Sequence, residues 1–169
     1  MEKMELQPKS IPRGNNRILF LDDNESIVKS AENMLEYLGY KVVGFTDGQE
    51  ALRAFSEKPS EFDLVITDYV MPDLTGEDIA EEMIRIRADI PIILSTEDSE
   101  LISSKKAVAL GFRGLILKPF NYREVAELVR CVLDQKEQKL LGEIRTQNKE
   151  APFRGGALGV INLRKKERG

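Results

Sequence analysis

The chain has 169 residues, of which 41% are apolar, and this predicts one compact domain with additional segments at its ends. One cysteine and no histidine exclude an internal disulfide, a multi-cysteine zinc site, Ser-His-Asp or Cys-His catalysis and a phosphohistidine carrier. The net charge of −4 is uneven, because residues 18–134 carry 23 acidic and 12 basic side chains, so a nucleic-acid partner is not expected for this region.

Five short apolar runs predict strands that are buried on both faces. Each run is rich in β-branched residues and is bounded by polar or turn residues. In chain order the predicted strands are Ile18–Leu21, Val42–Phe45, Leu64–Thr67, Ile90–Leu94 and Gly114–Leu117.

Apolar residues at helical spacing follow each predicted strand and indicate five helices. Gly39 and Gly111 are expected to end the first and fourth helices, and Thr75 is a candidate cap for the third. The apolar faces consist of Ile27, Ala31, Met34, Leu35 and Leu38; Ala51, Leu52 and Phe55; Ile79, Met83, Ile84 and Ile86; Leu101, Ala107, Val108 and Leu110; and Val125, Leu128, Val129, Val132 and Leu133.

The alternation of strands and helices predicts an α/β fold, with an open parallel sheet covered by helices on both sides. In such sheets the functional groups gather at the carboxyl ends of the strands, near the point where the strand order reverses. The residues at the strand ends therefore decide the function.

Chemically active side chains stand at four of these strand ends: Asp22-Asp23, Asp68, Ser95-Thr96 and Lys118-Pro119. Taken singly, each has an ordinary explanation, since Asp23 or Asn24 is a plausible helix cap and a lone lysine is usually solvated. Taken together they form one site. Three carboxylates that lie close together suit Mg²⁺, which prefers hard oxygen ligands.

The same residues have the chemistry of phosphoryl transfer. Asp68 is the candidate nucleophile, and Mg²⁺, Lys118 and the Ser95 hydroxyl are the candidates to neutralise the oxygens of the moving group. The product would be an acyl phosphate on the aspartate.

These motifs resemble the receiver domains of bacterial two-component response regulators. The resemblance covers residues 17–134 and rests on RILFLDDNES, FDLVITDYVMPDLTGEDIA, IPIILST and GFRGLILKPF. It implies a doubly wound, flavodoxin-like sheet of order 2-1-3-4-5 with five helices. It also implies that Asp68 is the phosphoacceptor and that Asp22, Asp23 and Asp68 hold Mg²⁺ together with the backbone carbonyl of Val70. Lys118 is expected to contact the phosphoryl group, and the peptide bond between Lys118 and Pro119 is expected to be cis.

Four positions concern switching and water access. By the resemblance, Ser95 is the switch hydroxyl, and Leu115 stands where family members usually carry Tyr or Phe. Thr96 replaces the small residue that commonly follows the switch hydroxyl and is expected to narrow access to Asp68. Val70 cannot hydrogen-bond an attacking water, whereas Glu97 can still orient one.

The leading hypothesis is a phosphorylation-dependent signalling switch that catalyses only its own phosphorylation and slow dephosphorylation. One alternative is a degenerate receiver that acts as a scaffold. Another is an Asp-nucleophile phosphohydrolase, although such enzymes usually place a second acid two residues after the nucleophile, where Val70 stands. A chemotaxis-regulator-like single receiver and the receiver of a hybrid histidine kinase are both compatible with the sequence.

The expected organisation is a flexible N-terminal extension over residues 1–16, a receiver over 17–134, and a helical extension with a basic flexible tail over 135–169. No apolar run approaches the ~20 residues of a membrane span, and the N-terminus lacks the apolar core of a signal peptide, so a cytoplasmic location is expected. The expected partners are a sensor histidine kinase or phosphotransfer protein and an unidentified downstream protein.

Overall fold

The computed structural model describes residues 9–98 and 100–146, with the backbone alone for residue 104 and residues 137–146. Strands and helices alternate in the order β1 Arg17–Leu21, α1 Glu25–Tyr37, β2 Lys41–Phe45, α2 Gly48–Glu57, β3 Leu64–Asp68, α3 Gly76–Ile86, β4 Ile92–Thr96, α4 Ser104–Ala109, β5 Gly114–Leu117 and α5 Tyr122–Thr146, with a 3-10 turn at Pro59–Glu61. Among these helices, none combines the length and the apolar character that a membrane span requires.

The five strands form one parallel sheet of order β2-β1-β3-β4-β5, which confirms the predicted doubly wound fold. The chain places β2 on one side of β1 and then returns to place β3 on the other side. The strand order therefore reverses between β1 and β3, and a crevice opens there at the carboxyl edge of the sheet.

Two apolar cores cover the two faces of the sheet, because successive strand residues point to opposite sides. Ile18 and Phe20 of β1 pack with α1 and α5, whereas Leu19 and Leu21 pack with α2, α3 and α4. Strands β3 and β4 are buried along their whole length. This burial explains why they read as continuous apolar runs in the sequence.

The predicted helix ends are confirmed at several positions. Asn24 caps α1, since its side-chain oxygen accepts hydrogen bonds from the amides of Ser26 and Ile27. Thr75 caps α3 in a reciprocal capping box with Asp78. Gly39 and Gly111 follow α1 and α4 with φ angles of 98° and 92°, which a side chain would strain.

Several predicted details of the elements are wrong, including two members of the predicted apolar helix faces, since Ile86 and Val108 are 41% and 38% exposed. Strand β4 begins at Ile92 and not at Ile90, because Pro91 has no amide hydrogen to donate, although its carbonyl accepts from Val65. Leu101 lies before α4 and is 51% exposed, and Ile102 is the buried residue of this loop. The spacing of apolar residues in the sequence did not show which of Leu101 and Ile102 is buried.

The described part of the N-terminal segment contacts the domain. The amide of Gly14 donates to the carbonyl of Leu38 at 3.1 Å, and Arg123 donates to the carbonyl of Lys9 at 3.0 Å. The prediction of a flexible segment did not anticipate these contacts. Helix α5 continues beyond Asp134 to Thr146. The domain boundaries stay a prediction, and the predicted basic tail lies outside the described residues.

Candidate functional site

Three carboxylates meet at the crevice between β1 and β3. Asp22 and Asp23 directly follow β1, and Asp68 is the last residue of β3, so the sheet order brings them together. Oxygen atoms from the three side chains lie within 4.8 Å of one another. Asp22 and Asp68 are 1% and 7% exposed, whereas Asp23 faces solvent. This is an oxygen-rich site, buried on one side and open on the other, of the kind that suits Mg²⁺.

The ammonium group of Lys118 lies between the two buried carboxylates. Its Nζ is 2.6 Å from Asp22 Oδ2 and 3.1 Å from Asp68 Oδ1, and its side chain is 8% exposed. Burial alone would lower the pKa of Lys118, but its hydrogen bonds to Asp22 and Asp68 outweigh this and raise the pKa. Lys118 is therefore a fixed positive charge at neutral pH, 50 residues from Asp68 in the chain and adjacent to it in the fold.

Burial raises the pKa of Asp68 above its usual value, and the hydrogen bond from Lys118 opposes this rise without cancelling it. The negative charge of Asp22 raises the pKa further. The ionised form of Asp68 is thus costly in the absence of another cation.

Ser95 supplies a buried hydroxyl beside these charges. It pairs with Asp68 in the register of β3 and β4 and is 0% exposed. Among the described residues its Oγ has no hydrogen-bond partner. A buried hydroxyl without a partner carries a desolvation cost, which a polar group added at Asp68 would relieve.

The backbone after Asp68 is held tightly. The amide of Tyr69 donates both to Asp68 Oδ1 at 2.9 Å and to the carbonyl of Ser95 at 3.0 Å. The amide of Gly76 at the start of α3 donates to the carbonyl of Tyr69 at 2.9 Å. A Cβ atom on Gly76 would lie 2.6 Å from the carbonyl oxygen of Asp68, so α3 approaches the site as closely as the backbone allows.

Two of the three residues predicted to control water access lie at the exposed rim of the site, and the third is buried. Val70 is 59% exposed and Glu97 faces solvent. Thr96 is 2% exposed, and its hydroxyl accepts a hydrogen bond from the amide of Asp98 at 3.2 Å, so it shapes the loop after β4. Beside the carboxylates runs a groove of about 780 Å³, lined by Ser26, Ile27, Ser30, Met34, Glu97, Lys118, Pro119 and Phe120.

Two further expectations concern β5. Leu115 is half-buried opposite Leu94 and packs against the core under α2, α3 and α4. The bond between Lys118 and Pro119 is cis, as the resemblance implied.

Comparisons with known proteins agree with this geometry. A family model described as the response regulator receiver domain matches residues 18–130. The chain belongs to the response regulator receiver domain family. It is therefore a phosphorylation-dependent signalling domain, as the motifs predicted.

Two bacterial regulatory proteins are similar to this chain over most of its length. The chain is 36% identical over 124 residues to the alkaline phosphatase synthesis transcriptional regulatory protein PhoP of Bacillus subtilis, covering 73% of this chain and 50% of PhoP. It is 33% identical over 121 residues to the response regulator SaeR of Staphylococcus aureus, covering 72% of this chain and 52% of SaeR. The chain thus spans about half the length of these relatives.

A solved structure shows the same fold. The crystal structure of a response regulator receiver domain protein from Clostridium thermocellum is 29% identical, with a TM-score of 0.68, and the match covers 75% of this chain and 98% of that chain. The similarity therefore extends across nearly the whole of an independently solved receiver.

The structure brings Asp22, Asp23, Asp68, Ser95 and Lys118 together at one edge of the sheet of this receiver, as the strand ends predicted. One contact next to this site was not predicted from the sequence. Tyr69 donates from its hydroxyl to Glu77 of α3, and Lys106 of α4 pairs with the same carboxylate. No spacing rule connects these positions, since they lie on a loop and two helices.

We expect Asp68→Asn to raise the melting temperature in the absence of metal at pH 7. Because the pKa of Asp68 is raised in the folded state, its ionisation weakens folding, and the penalty grows as pH rises from the unfolded pKa of about 3.9. Removing the charge should stabilise the protein by about 1 kcal/mol, or roughly 2–4 °C at this chain length. Thermal denaturation in EDTA measures the shift.

The stabilisation should shrink as the pH is lowered and vanish below the unfolded pKa of about 3.9, where Asp68 binds a proton in both states. Asp73→Asn, which changes an exposed aspartate of the loop after β3, is the matched control and should leave the melting temperature unchanged. A lower melting temperature for Asp68→Asn at pH 7 would mean that the contact with Lys118 outweighs the cost of burial.

Proposed function

We propose that this receiver accepts a phosphoryl group on Asp68 in a magnesium-dependent reaction and then presents a changed surface to a partner protein. The observation that carries the proposal is the cluster of Asp22, Asp23 and Asp68, whose oxygens lie within 4.8 Å, against the buried ammonium of Lys118. An acidic cluster beside a lysine cation, with a Ser95 hydroxyl that has no hydrogen-bond partner among the described residues, fits a group that brings three oxygens.

The transfer is a displacement at phosphorus. A carboxylate oxygen of Asp68 attacks the phosphorus atom of the donor and forms a new O–P bond. The bond from phosphorus to the donor breaks, and its electron pair leaves with the donor group. Lys118 Nζ is already 3.1 Å from Asp68 Oδ1, so it can contact a phosphoryl oxygen after a small movement. Ser95 can donate its hydroxyl to a second oxygen.

The proposed metal ligands are the carboxylates of Asp22, Asp23 and Asp68 and the backbone carbonyl of Val70. These are all hard oxygen donors, and their number fits an ion that keeps several waters. Bound Mg²⁺ supplies positive charge to the phosphoryl oxygens. Asp23 is the exposed member of the cluster, and this side of the site is open to solvent and to the donor.

The proposed donor is a phosphohistidine on a sensor histidine kinase or a phosphotransfer protein, and the proposed location is the cytoplasm. The chain acts only on its own aspartate. Val70 supports this reading, because an Asp-nucleophile phosphohydrolase would usually need an acid at that position. The downstream partner is a protein that distinguishes the phosphorylated surface.

A small phosphodonor should phosphorylate the protein directly. With acetyl phosphate and Mg²⁺, we expect intact-mass analysis to show one added phosphoryl group that is labile to acid and base. Asp68→Asn removes the nucleophile and should abolish the addition. Asp73→Asn is the control, since it alters an aspartate of the adjoining loop outside the carboxylate cluster. A folded parent protein that never gains the mass would refute the proposal.

Magnesium binding should require the exposed acid of the cluster. We expect Asp23→Ala to weaken Mg²⁺ binding by at least about tenfold, since even residues that only support a metal ligand contribute that much. Isothermal titration calorimetry measures the affinity. Glu25→Gln removes an exposed acid two residues away and should bind as the parent does. Equal affinities in Asp23→Ala and the parent would show that Asp23 is not a ligand.

Val70 is expected to give the phosphorylated state a long lifetime. Hydrolysis needs a water aligned with phosphorus, opposite the aspartate oxygen that leaves. Val70 offers no hydrogen bond to such a water, whereas Glu97 at the rim can still orient one. Losing one contact that positions the water can slow a reaction by up to ~10²-fold.

Val70→Asn should therefore shorten the lifetime by up to ~10²-fold. The fold should tolerate the change, because the valine side chain is 59% exposed. The decay of the phosphoryl mass after donor removal gives the rate. Ile86→Asn, at an exposed apolar residue that ends α3, is the control. If Val70→Asn decays no faster than the parent, Thr96 or Glu97 is the next candidate for control of the lifetime.

A further inference from the structure

Three side chains from different elements form a polar triad beside the acceptor. The hydroxyl of Tyr69 donates to Glu77 Oε1 at 2.8 Å, and Lys106 Nζ lies 3.1 Å from the same oxygen. Tyr69 directly follows the acceptor strand, Glu77 lies in the first turn of α3, and Lys106 lies on α4. The triad therefore connects the loop that follows β3 to α4.

The backbone of Tyr69 contacts two groups that phosphorylation would change. Its amide donates to Asp68 Oδ1 at 2.9 Å and to the carbonyl of Ser95 at 3.0 Å. When a carboxylate becomes an acyl phosphate, its negative charge moves to the phosphoryl oxygens, and the hydrogen bond to the original oxygen weakens. Ser95 is the residue whose hydroxyl would turn to the new group. Both partners of the Tyr69 amide thus respond to the same event.

We propose that the Tyr69–Glu77–Lys106 triad is the latch that holds α4 in the unphosphorylated receiver and that phosphorylation of Asp68 releases it. This inference rests on the proposed function, because it requires a phosphoryl group at Asp68. In this inference Tyr69, on the loop after β3, is the residue that transmits the change at Asp68 to α4.

The surroundings of Tyr69 support this assignment. Tyr69 is half-buried and packs against the core under α2, α3 and α4, and Leu115 packs against the same core. The side chain of Leu115 has no polar atom, so it cannot exchange a hydrogen bond when the site changes. Tyr69 has an aromatic ring in that core and a hydroxyl that reaches the surface.

Helix α4 is short enough to depend on such a contact. It has six residues, too few for a helix that is stable by itself. The loop before it leaves Leu101 51% exposed but buries Ile102, which anchors this side. Among the described side chains of α4 itself, Ala107 is the buried one. A polar link from Lys106 to α3 therefore adds to the few contacts that position α4.

Glu77 and Lys106 are ionised at neutral pH, whereas Tyr69 is neutral, because its hydrogen bond to Glu77 raises the pKa of the phenol. The hydrogen bond from Tyr69 and the contact with Lys106 lower the pKa of Glu77, and Glu77 in turn raises the pKa of Lys106. The link is a charged one on a solvent-facing surface, so it is weak enough to be reversed by a change at the acceptor.

Hydrogen exchange on the full chain tests the latch. The amides of Ala107 and Leu110 donate to the carbonyls of Ser103 and Lys106 and report on α4. We expect acetyl phosphate with Mg²⁺ to speed their exchange by up to about fivefold in the parent, the upper limit for release of a solvent-exposed ion pair. In Glu77→Gln, exchange should already be fast without the donor and should change less than twofold with it, at an equal phosphorylated fraction measured by mass.

Two further variants make the result specific. Glu81→Gln changes another glutamate of α3 with a basic partner, Arg85 at 3.3 Å, and should behave as the parent does. Lys106→Met should reproduce Glu77→Gln and serves in its place if that variant does not fold. Neither Glu77 nor Lys106 belongs to the carboxylate cluster, so both variants should still be phosphorylated.

The outcomes separate the inference from the proposed function. If Glu77→Gln speeds exchange but phosphorylation adds the same factor as in the parent, the triad is only a structural contact and the inference is wrong. A phosphorylated parent with unchanged α4 exchange also overturns it. A parent that gains no phosphoryl mass overturns the proposed function and the inference together.

Discussion

The site depends on the ammonium group of Lys118 between the carboxylates of Asp22 and Asp68. Two buried carboxylates next to each other are unfavourable, because desolvation and repulsion both oppose their ionisation. The distances of 2.6 and 3.1 Å let one cation offset both, at a place where 8% exposure leaves little screening by water. The fold supplies this cation from β5, two strands away from β3. Only a long side chain can cross that distance, so lysine at this strand end is a geometric requirement as well as an electrostatic one.

This arrangement leaves the unmodified site incomplete in two respects. Three carboxylates face one ammonium group, so the cluster keeps an excess negative charge that a divalent cation would balance. Within the part of the chain that the structure describes, the hydroxyl of Ser95 is buried without a partner, which costs about 1–3 kcal/mol for a group of this kind. A phosphoryl group with a metal ion would satisfy both deficits together. On the proposed mechanism, the phosphorylated state is therefore stabilised by contacts of the Ser95 hydroxyl and of the carboxylate cluster that the unmodified state lacks.

The sequence predicted an open parallel sheet from short-range patterns, and the resemblance to receivers supplied the strand order. Strands buried on both faces appear as apolar runs, and parallel strands bring their ends to one edge. With the order 2-1-3-4-5, the ends that carry Asp22, Asp68 and Lys118 converge. The details that failed depend on information outside such patterns. The start of β4 is decided by the missing amide hydrogen of Pro91, and the burial of Ile102 in place of Leu101 depends on how the loop before α4 turns. The triad around Glu77 was not predicted because it joins a loop and two helices whose relative placement no local spacing records.

The two residues that follow Asp68, the proposed acceptor, have different surroundings and different proposed roles. Tyr69 is half-buried, packs against the core and is linked to α3 and α4, whereas Val70 is 59% exposed at the rim. A change at residue 70 alters what a water molecule meets near Asp68, but it leaves the core and the polar triad in place. A change in the hydroxyl of Tyr69 alters the link to α4, while its amide still donates to Asp68. On the proposed roles, the duration of the signal depends on Val70 and its transmission to α4 on Tyr69, two adjacent side chains that face different surroundings. On these roles, a substitution at residue 70 changes the lifetime of the phosphorylated state without altering the link to α4.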